Sequence, residues 1–196
     1  MVNESDVTNI VIHGRGGQGA VTASQIIVES AFLSGKFVDV HAYPSFGAER
    51  RGAPIQAYAK LSRNEKIWDR SEIEQPDILI VLDESVLTQN IISSLKKGGI
   101  FIINSVNDPD YFVDKYKFNE NIKIIIADIS KLAIDNDLTI EGAPIVNIPI
   151  LGLLLKGIPE LSLENLKKIT YKRIGSERGK LNLELLEKGF KLAKVQ

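Results

Sequence analysis

Two clusters in this chain have the residue types and spacing that bind anions. In HGRGGQGAVTAS, residues 13–24, Gly14, Gly16 and Gly19 follow the G-x-G-x-x-G spacing of the dinucleotide fingerprint, with Gly17 as a further glycine inside it. Glycines between a strand and a helix let the backbone turn tightly and bring N–H groups close to a ligand, and the helix N-terminus favours negative charge. A phosphate or carboxylate is the natural guest. Arg15, inside the turn, can bind a second phosphate oxygen or a partner carboxylate in bidentate fashion. The second cluster is PSFGAERRGAP, residues 44–54, with Glu49, Arg50 and Arg51 packed between Gly47 and Gly52. Its arginines can hold an anion, oriented by Glu49, or the loop can dock another protein. Gln18 in the turn and Ser45 in the loop complete the candidate contacts.

Which anion the turn serves is constrained by what surrounds it. A Walker A loop needs Gly-Lys-Ser/Thr, whereas Gly19 is followed by Ala20 and Val21. A nicotinamide site needs a carboxylate at the end of the second strand, about 20 residues on. Asp39 has the distance, but it falls in the middle of FVDVHAY, and His41, Ala42 and Tyr43 occupy the strand's end. This weighs against a nicotinamide cofactor and leaves a different anion, or a packing role for the glycines, open.

Positioning these clusters requires strands that end at one edge. TNIVIH, residues 8–13, is a β-branched run stopping at the glycines; beyond them Ala20, Ser24, Ile27, Val28 and Ala31 share one helical face, and Gly35 stops the helix. FVDVHAY then reads as a second strand completing a βαβ-type unit. PIQAYAKLS alternates like a strand, and ILIVL, IFIIN and KIIIAD are apolar runs of the kind buried on both faces. ESVLTQNIISSLKK is the helix expected between two of them, ending at Gly98 and Gly99. From Pro144 onward the strands are expected to cease. PIVNIPILGLLLKG, LSLENLKKITYKRI and KLNLELLEKGFKLAKV read as helices, with SERGK, residues 176–180, as a hinge loop before the last. The pattern predicts an α/β fold: a single Rossmann-like, open, mostly parallel sheet with helices on both faces and a helical C-terminal segment, one domain over residues 1–196. Both clusters then fall on its carboxyl edge, where open α/β sheets bind ligands.

Other residues are read as structural. His13 and His41, the only histidines, are expected near the carboxyl ends of neighbouring strands, a position suited to acid–base chemistry, yet buried histidines are more often simply hydrogen-bonded. Asp83, before Glu84, is a natural N-cap. Trp68 is expected to pack on the domain's own edge, and KKITYKR to be a solvated helical face. No residue is assigned a catalytic or metal-binding role.

Composition narrows the classes. The 24 basic and 25 acidic residues, for a net charge of −1, offer no broad attraction for nucleic acid or an anionic membrane. No run approaches the roughly 18 apolar residues of a spanning helix, and MVNESDVTN has neither the charged nor the apolar region of a signal peptide, so a cytoplasmic protein is expected. The chain has no cysteine, which excludes thiolate nucleophiles and cysteine-held clusters within it. Any electron-transfer metal must sit on another chain.

Taken in order, GRGGQGAVTAS, YPSFGAERRGAP and QPDILIVLDE resemble the gamma subunit of the 2-oxoacid:ferredoxin oxidoreductases, and the ERRGAP form is most similar to the pyruvate type. The resemblance extends through nearly the whole chain, to Asn147 and to the pair Asn182 and Gly189. It implies a complex that converts a 2-oxoacid and coenzyme A to acyl-CoA and carbon dioxide while reducing ferredoxin. Thiamine diphosphate with Mg and the iron–sulfur clusters are implied to lie on partner subunits of alpha, beta and delta type; this chain has no Gly-Asp-Gly followed by Asn-Asn to hold thiamine diphosphate. CoA is then the implied anion, with the GRGGQG turn and Arg50 or Arg51 as candidate contacts. An independent NAD(P)-dependent reductase and a purely structural assembly subunit are the alternatives.

Overall fold

The computed structural model of the chain describes residues 7–45, 51–118 and 121–196. β1 (Val7–Arg15) runs into the glycine turn and α1 (Ala20–Leu33) leaves it. Side chains alternate across β1, so that Ile10 and Ile12 enter one apolar layer and Val11 the other. Ala20, Ser24, Ile27, Val28 and Ala31 of α1 are all buried, as their spacing predicts.

β2 (Asp39–Pro44), β3 (Pro54–Ser62), β4 (Ile78–Val81), β5 (Ile100–Asn104), β6 (Lys123–Ala127) and the two-residue β9 (Lys194–Val195) complete a seven-stranded sheet of order β2-β3-β1-β4-β5-β6-β9. β1, β4, β5 and β6 pair in parallel, while β3 lies antiparallel to both β1 and β2, and β9 antiparallel to β6. Five of the seven strands therefore run in one direction, as expected of a mostly parallel sheet. β1 and β2 are not neighbours, however: β3 returns from β2 and takes the place beside β1. His13 consequently pairs with Gln56 and His41 with Lys60, which separates the two histidines.

α1 packs with α6 (Leu163–Ile174) and the helices α5 (Leu151–Leu154) and α7 (Ser176–Leu192) over one face of the sheet. On the other face, α2 (Gln89–Ser94) and α3 (Pro109–Tyr116) cover Leu79, Val81, Phe101 and Ile103. α4 (Ile129–Ile134) follows β6, and a small hairpin of β7 (Thr139–Ile140) and β8 (Ala143–Pro144) stands apart from the main sheet.

Four expectations are corrected. Residues 84–97 form a 3-10 turn (Glu84–Val86) and then the short α2, because Leu87 is extended and Thr88 caps a new helix through its side chain, which accepts from Ile91 N–H. The apolar segment 144–157 is helical only over α5. SERGK is the first turn of α7: the break lies one residue earlier at Gly175, with φ 58°, whose N–H caps the Tyr171 carbonyl. Strand structure does not cease at Pro144, since β9 closes the edge of the sheet. Gly189 has a packing reason, because a Cβ there would lie 2.4 Å from the Pro149 carbonyl oxygen.

Candidate functional site

The carboxyl end of β1 and the loop leading into β3 are tied together by backbone. Gly16 N–H donates to the Ala53 carbonyl at 2.8 Å and Gly52 N–H to the Gly16 carbonyl at 3.0 Å, so that Gly16 and Arg51 form a short bridge. The glycine turn and the Arg51 end of the ERRGAP loop thus share one edge, as their sequence positions imply. Glu49 and Arg50 lie outside the described residues. Ser45 directs its N–H to the Gln56 carbonyl, at 3.0 Å, and stands away from the cavity beside the turn.

Within the turn the side chains brace and the backbone remains available. Gln18 folds back so that its Oε1 accepts from Arg15 N–H at 2.7 Å while its Nε2 donates to Asp83 at 3.0 Å. Arg15 donates to the Ser85 hydroxyl from Nε (3.0 Å) and Nη2 (2.8 Å) and to the Gly52 carbonyl from Nη1 (2.8 Å). Its guanidinium also lies 3.5 Å from Asp83. Asp83 caps the 3-10 turn as expected, accepting from Ser85 N–H, and so joins β4 to the glycine turn. Burial opposes its ionisation, but the Ser85 and Gln18 hydrogen bonds and the Arg15 charge outweigh that and hold its carboxyl below the usual value. Glu84 is engaged as well, accepting from the Ser105 hydroxyl at 2.6 Å.

α1 begins without a side-chain cap. Gly19 is its N-cap, in the left-handed region at φ 79°, and the first helical bond runs from Ala23 N–H to the Gly19 carbonyl at 3.0 Å. The N–H groups of Ala20, Val21 and Thr22 therefore have no acceptor from the helix, and the first turn carries no acidic residue. Beside them is a cavity of about 270 Å³ lined by Gly16, Gly17, Gln18, Gly19, Arg51 and Asn147, with the β7–β8 hairpin as its far wall. Arg51 crosses its mouth to pair with Glu141 at the hairpin tip. Asn147, nearly buried, donates its amide to the Gly19 carbonyl at 3.2 Å, while its Oδ1 has no partner. Asn147 was legible only as a position; its place against Gly19 depends on tertiary packing.

The remaining candidates lie elsewhere. Asp39 is at the start of β2, the edge away from the glycine turn, and accepts from the N–H groups of Ile67 (2.8 Å) and Val40 (3.0 Å). It cannot serve a ribose at the turn. His13 is buried, and desolvation lowers its pKa to about 4, so it is neutral at pH 7. Trp68 does not pack on its own domain; it is 85 % exposed. Lys168, Tyr171 and Lys172 are solvated as expected, but Arg173 reaches α1 and donates to Glu29 and Gln25. Among the described residues no group of three or more His, Asp or Glu side chains is placed to hold a metal ion.

A βα glycine turn at the carboxyl edge of an open, mostly parallel sheet, beside an arginine and a helix start without a side-chain cap, places the chain in the class of Rossmann-like α/β proteins. The family of pyruvate ferredoxin/flavodoxin oxidoreductases matches residues 9–192, and the chain belongs to that family, as a gamma subunit of its 2-oxoacid:ferredoxin oxidoreductases. The "Pyruvate/ketoisovalerate oxidoreductases common subunit gamma" of Thermococcus litoralis is 37% identical over 182 residues, 92% of this chain and 94% of its own. The "Pyruvate synthase subunit PorC" of Methanosarcina barkeri is 40% identical over 159 residues, 81% of each chain. The crystal structure of pyruvate oxidoreductase subunit PORC from Thermotoga maritima superposes with a TM-score of 0.80 at 32% identity, covering 97% of this chain and 98% of that one. These relatives are subunits of an oxidoreductase, and this chain is likewise an enzyme subunit. No helix among the described residues is long and apolar enough to cross a membrane.

Proposed function

We propose that this chain, acting as one gamma-type domain over residues 1–196, holds the phosphate end of coenzyme A in a cytoplasmic pyruvate:ferredoxin oxidoreductase. Alpha-, beta- and delta-type subunits supply thiamine diphosphate with Mg and the iron–sulfur clusters, and ferredoxin takes the electrons. No cysteine of this chain is available for a cluster, and no step of the oxidation is assigned to its residues.

The observation that carries the reading is the uncapped start of α1 beside Arg51. Among the described residues, an anion in the 270 Å³ cavity meets backbone donors, the positive end of a 14-residue helix and the Arg51 guanidinium, with Glu141 the one carboxylate near it. Gly16, Gly17 and Gly19 let the backbone approach the phosphates. Arg51 supplies the mobile charge, and Arg50 and Glu49 are candidates from the same loop. Arg15, Gln18 and Gly14 hold the turn in shape: Arg15 is already spent on Ser85 and Gly52, and a Cβ at Gly14 would press on Gln18 Oε1 at 3.0 Å. This chain's share is binding and orientation, which lowers the barrier by fixing the thiol end of CoA relative to a centre on a partner.

The test is a split between Michaelis constants in the assembled complex. Arg51→Ala is expected to raise KM for CoA about tenfold, the scale of one charge-assisted hydrogen bond, and to leave KM for the 2-oxoacid unchanged. Equal KM values for CoA in the natural and the Arg51→Ala complexes would refute the reading.

A further inference from the structure

At the β2 edge of the sheet the chain displays a side chain that its own fold does not use. Trp68, the only tryptophan, is 85 % exposed. Fraying does not explain this, because the backbone on both sides is fastened. Ile67 N–H donates to Asp39 at 2.8 Å, and the buried Lys60 ammonium donates to the Asp69 carbonyl at 3.0 Å and carboxylate at 2.9 Å. Ser71 donates to Asp69 through its N–H and hydroxyl, each at 2.8 Å, and the Tyr43 hydroxyl donates to the Ser71 carbonyl at 2.8 Å. The segment is held, and the indole is presented.

A groove of about 480 Å³ runs beside it, between Val38 and His41 on one side and Lys66, Ile67, Trp68 and Arg70 on the other. Val38 is also exposed. The single carboxylate in the lining, Asp39, is consumed by the Ile67 and Val40 N–H groups and by His41 at 3.4 Å. Lys66 and Arg70 form no ion pair with any described residue; Lys66 only approaches the indole, at 5.9 Å. The groove therefore sets the apolar Val38, Ile67 and Trp68 among polar side chains, with a surplus of positive charge from Lys66 and Arg70.

Strand addition is not how it would be filled. β2 is the edge strand, and Ser45 N–H bonds to β3, so by alternation Val40, Ala42 and Pro44 turn their backbone groups outward. Val40 N–H is capped by Asp39 Oδ1 at 3.0 Å and Pro44 has no N–H, which blunts that edge. Recognition is left to side chains.

We infer that this groove seats an acidic segment of another subunit of the same complex, with an apolar residue against Trp68 and carboxylates paired with Lys66 and Arg70. A preorganised aromatic flanked by unpaired cations has the anatomy of an interface anchor, with little ordering cost left to meet on docking. The inference rests on membership of a multi-subunit family and not on the CoA reading.

The test uses the whole chain labelled with 5-fluorotryptophan, which carries one fluorine signal, titrated with the unlabelled remaining subunits. The signal is expected to shift and broaden on assembly, and the apparent affinity to fall as salt rises from about 0.05 to about 0.5 M. Trp68→Ala, exposed enough to leave folding intact, and the pair K66E and R70E are each expected to weaken assembly about tenfold without changing KM for CoA in the complex that forms. An unshifted signal in the assembled complex, normal assembly of both variants, or a salt-independent shift would overturn the assignment. So would a shift that grows with concentration of the isolated chain, which would give the surface to a second copy.

Discussion

The side-chain amide of Asn147 donates to the Gly19 carbonyl at 3.2 Å, and a Cβ on residue 19 would lie 2.2 Å from that same nitrogen. The segment entering α5 and the start of α1 thus meet at a separation only glycine permits. Gly19 also sits at φ 79°, where an L side chain costs about 1–3 kcal/mol. Gly19→Ala is expected to lose roughly 2–4 kcal/mol of unfolding free energy in urea, strain and collision together. Adding Asn147→Ala should return the collision part and leave the backbone part. Full stability of Gly19→Ala would contradict this geometry.

Arg15 predicts a subtler effect. Its guanidinium ties the turn to Ser85 and Gly52, with about a third of the side chain exposed at 35%. Arg15→Ala is expected to cost about 1 kcal/mol of stability, solvent screening having discounted the charged hydrogen bonds. KM for CoA should rise severalfold, through a loosened turn. Arg15→Lys should not restore either, because a lysine cannot reach Ser85 and Gly52 with one planar fork.

Glu141 and an incoming phosphate compete for Arg51. The Arg51–Glu141 pair is largely exposed, at 75% and 67%, so it is worth only about 0.2–1 kcal/mol. Glu141→Gln is expected to lower KM for CoA by roughly two- to fivefold at low salt, and the gain should fade as salt increases. A raised KM would mean that Glu141 serves the ligand and does not oppose it.

His13 sets an acid limit. Its folded pKa of about 4 lies below the unfolded value of 6.5, so below pH 6.5 the unfolded chain binds more protons at this site. No penalty exists above pH 6.5; it grows as pH falls and is complete near pH 4, at roughly 3 kcal/mol. His13→Gln should therefore be destabilised relative to the natural chain at pH 7 by a margin that shrinks towards pH 4. A margin independent of pH, from urea melts across that range, would show that His13 titrates normally.

The strand–glycine–helix unit was legible because each part is local: β-branched residues end at Gly14, and five residues of α1 repeat at helical spacing. PIQAYAKLS and IFIIN coincide with β3 and β5 for the same reason. The place of β3 between β1 and β2 was not legible, since alternation marks a strand but not its neighbour. Nor was the division of residues 84–95, where Thr88 competes with the apolar periodicity for its own cap. In the site, the types of Arg15 and Arg51 announced an anion or a carboxylate. Their different employment, Arg15 on Ser85 and Gly52 and Arg51 at the cavity, follows from which loops the sheet brings to its carboxyl edge. A lone tryptophan near a strand usually packs on its own domain's edge; the display of Trp68 depends on Lys60 and Asp69, which sequence spacing does not join.

The central claim, that the glycine turn receives the phosphates of CoA, is tested most directly by amide hydrogen exchange over residues 16–22 in the assembled complex, with and without CoA. Slower exchange is expected at Gly17, Gly19 and Ala20 when CoA is present, with the same peptide of an Arg51→Ala complex protected less at equal CoA. Exchange over 16–22 that is indifferent to saturating CoA, in a complex turning over CoA normally, would contradict it.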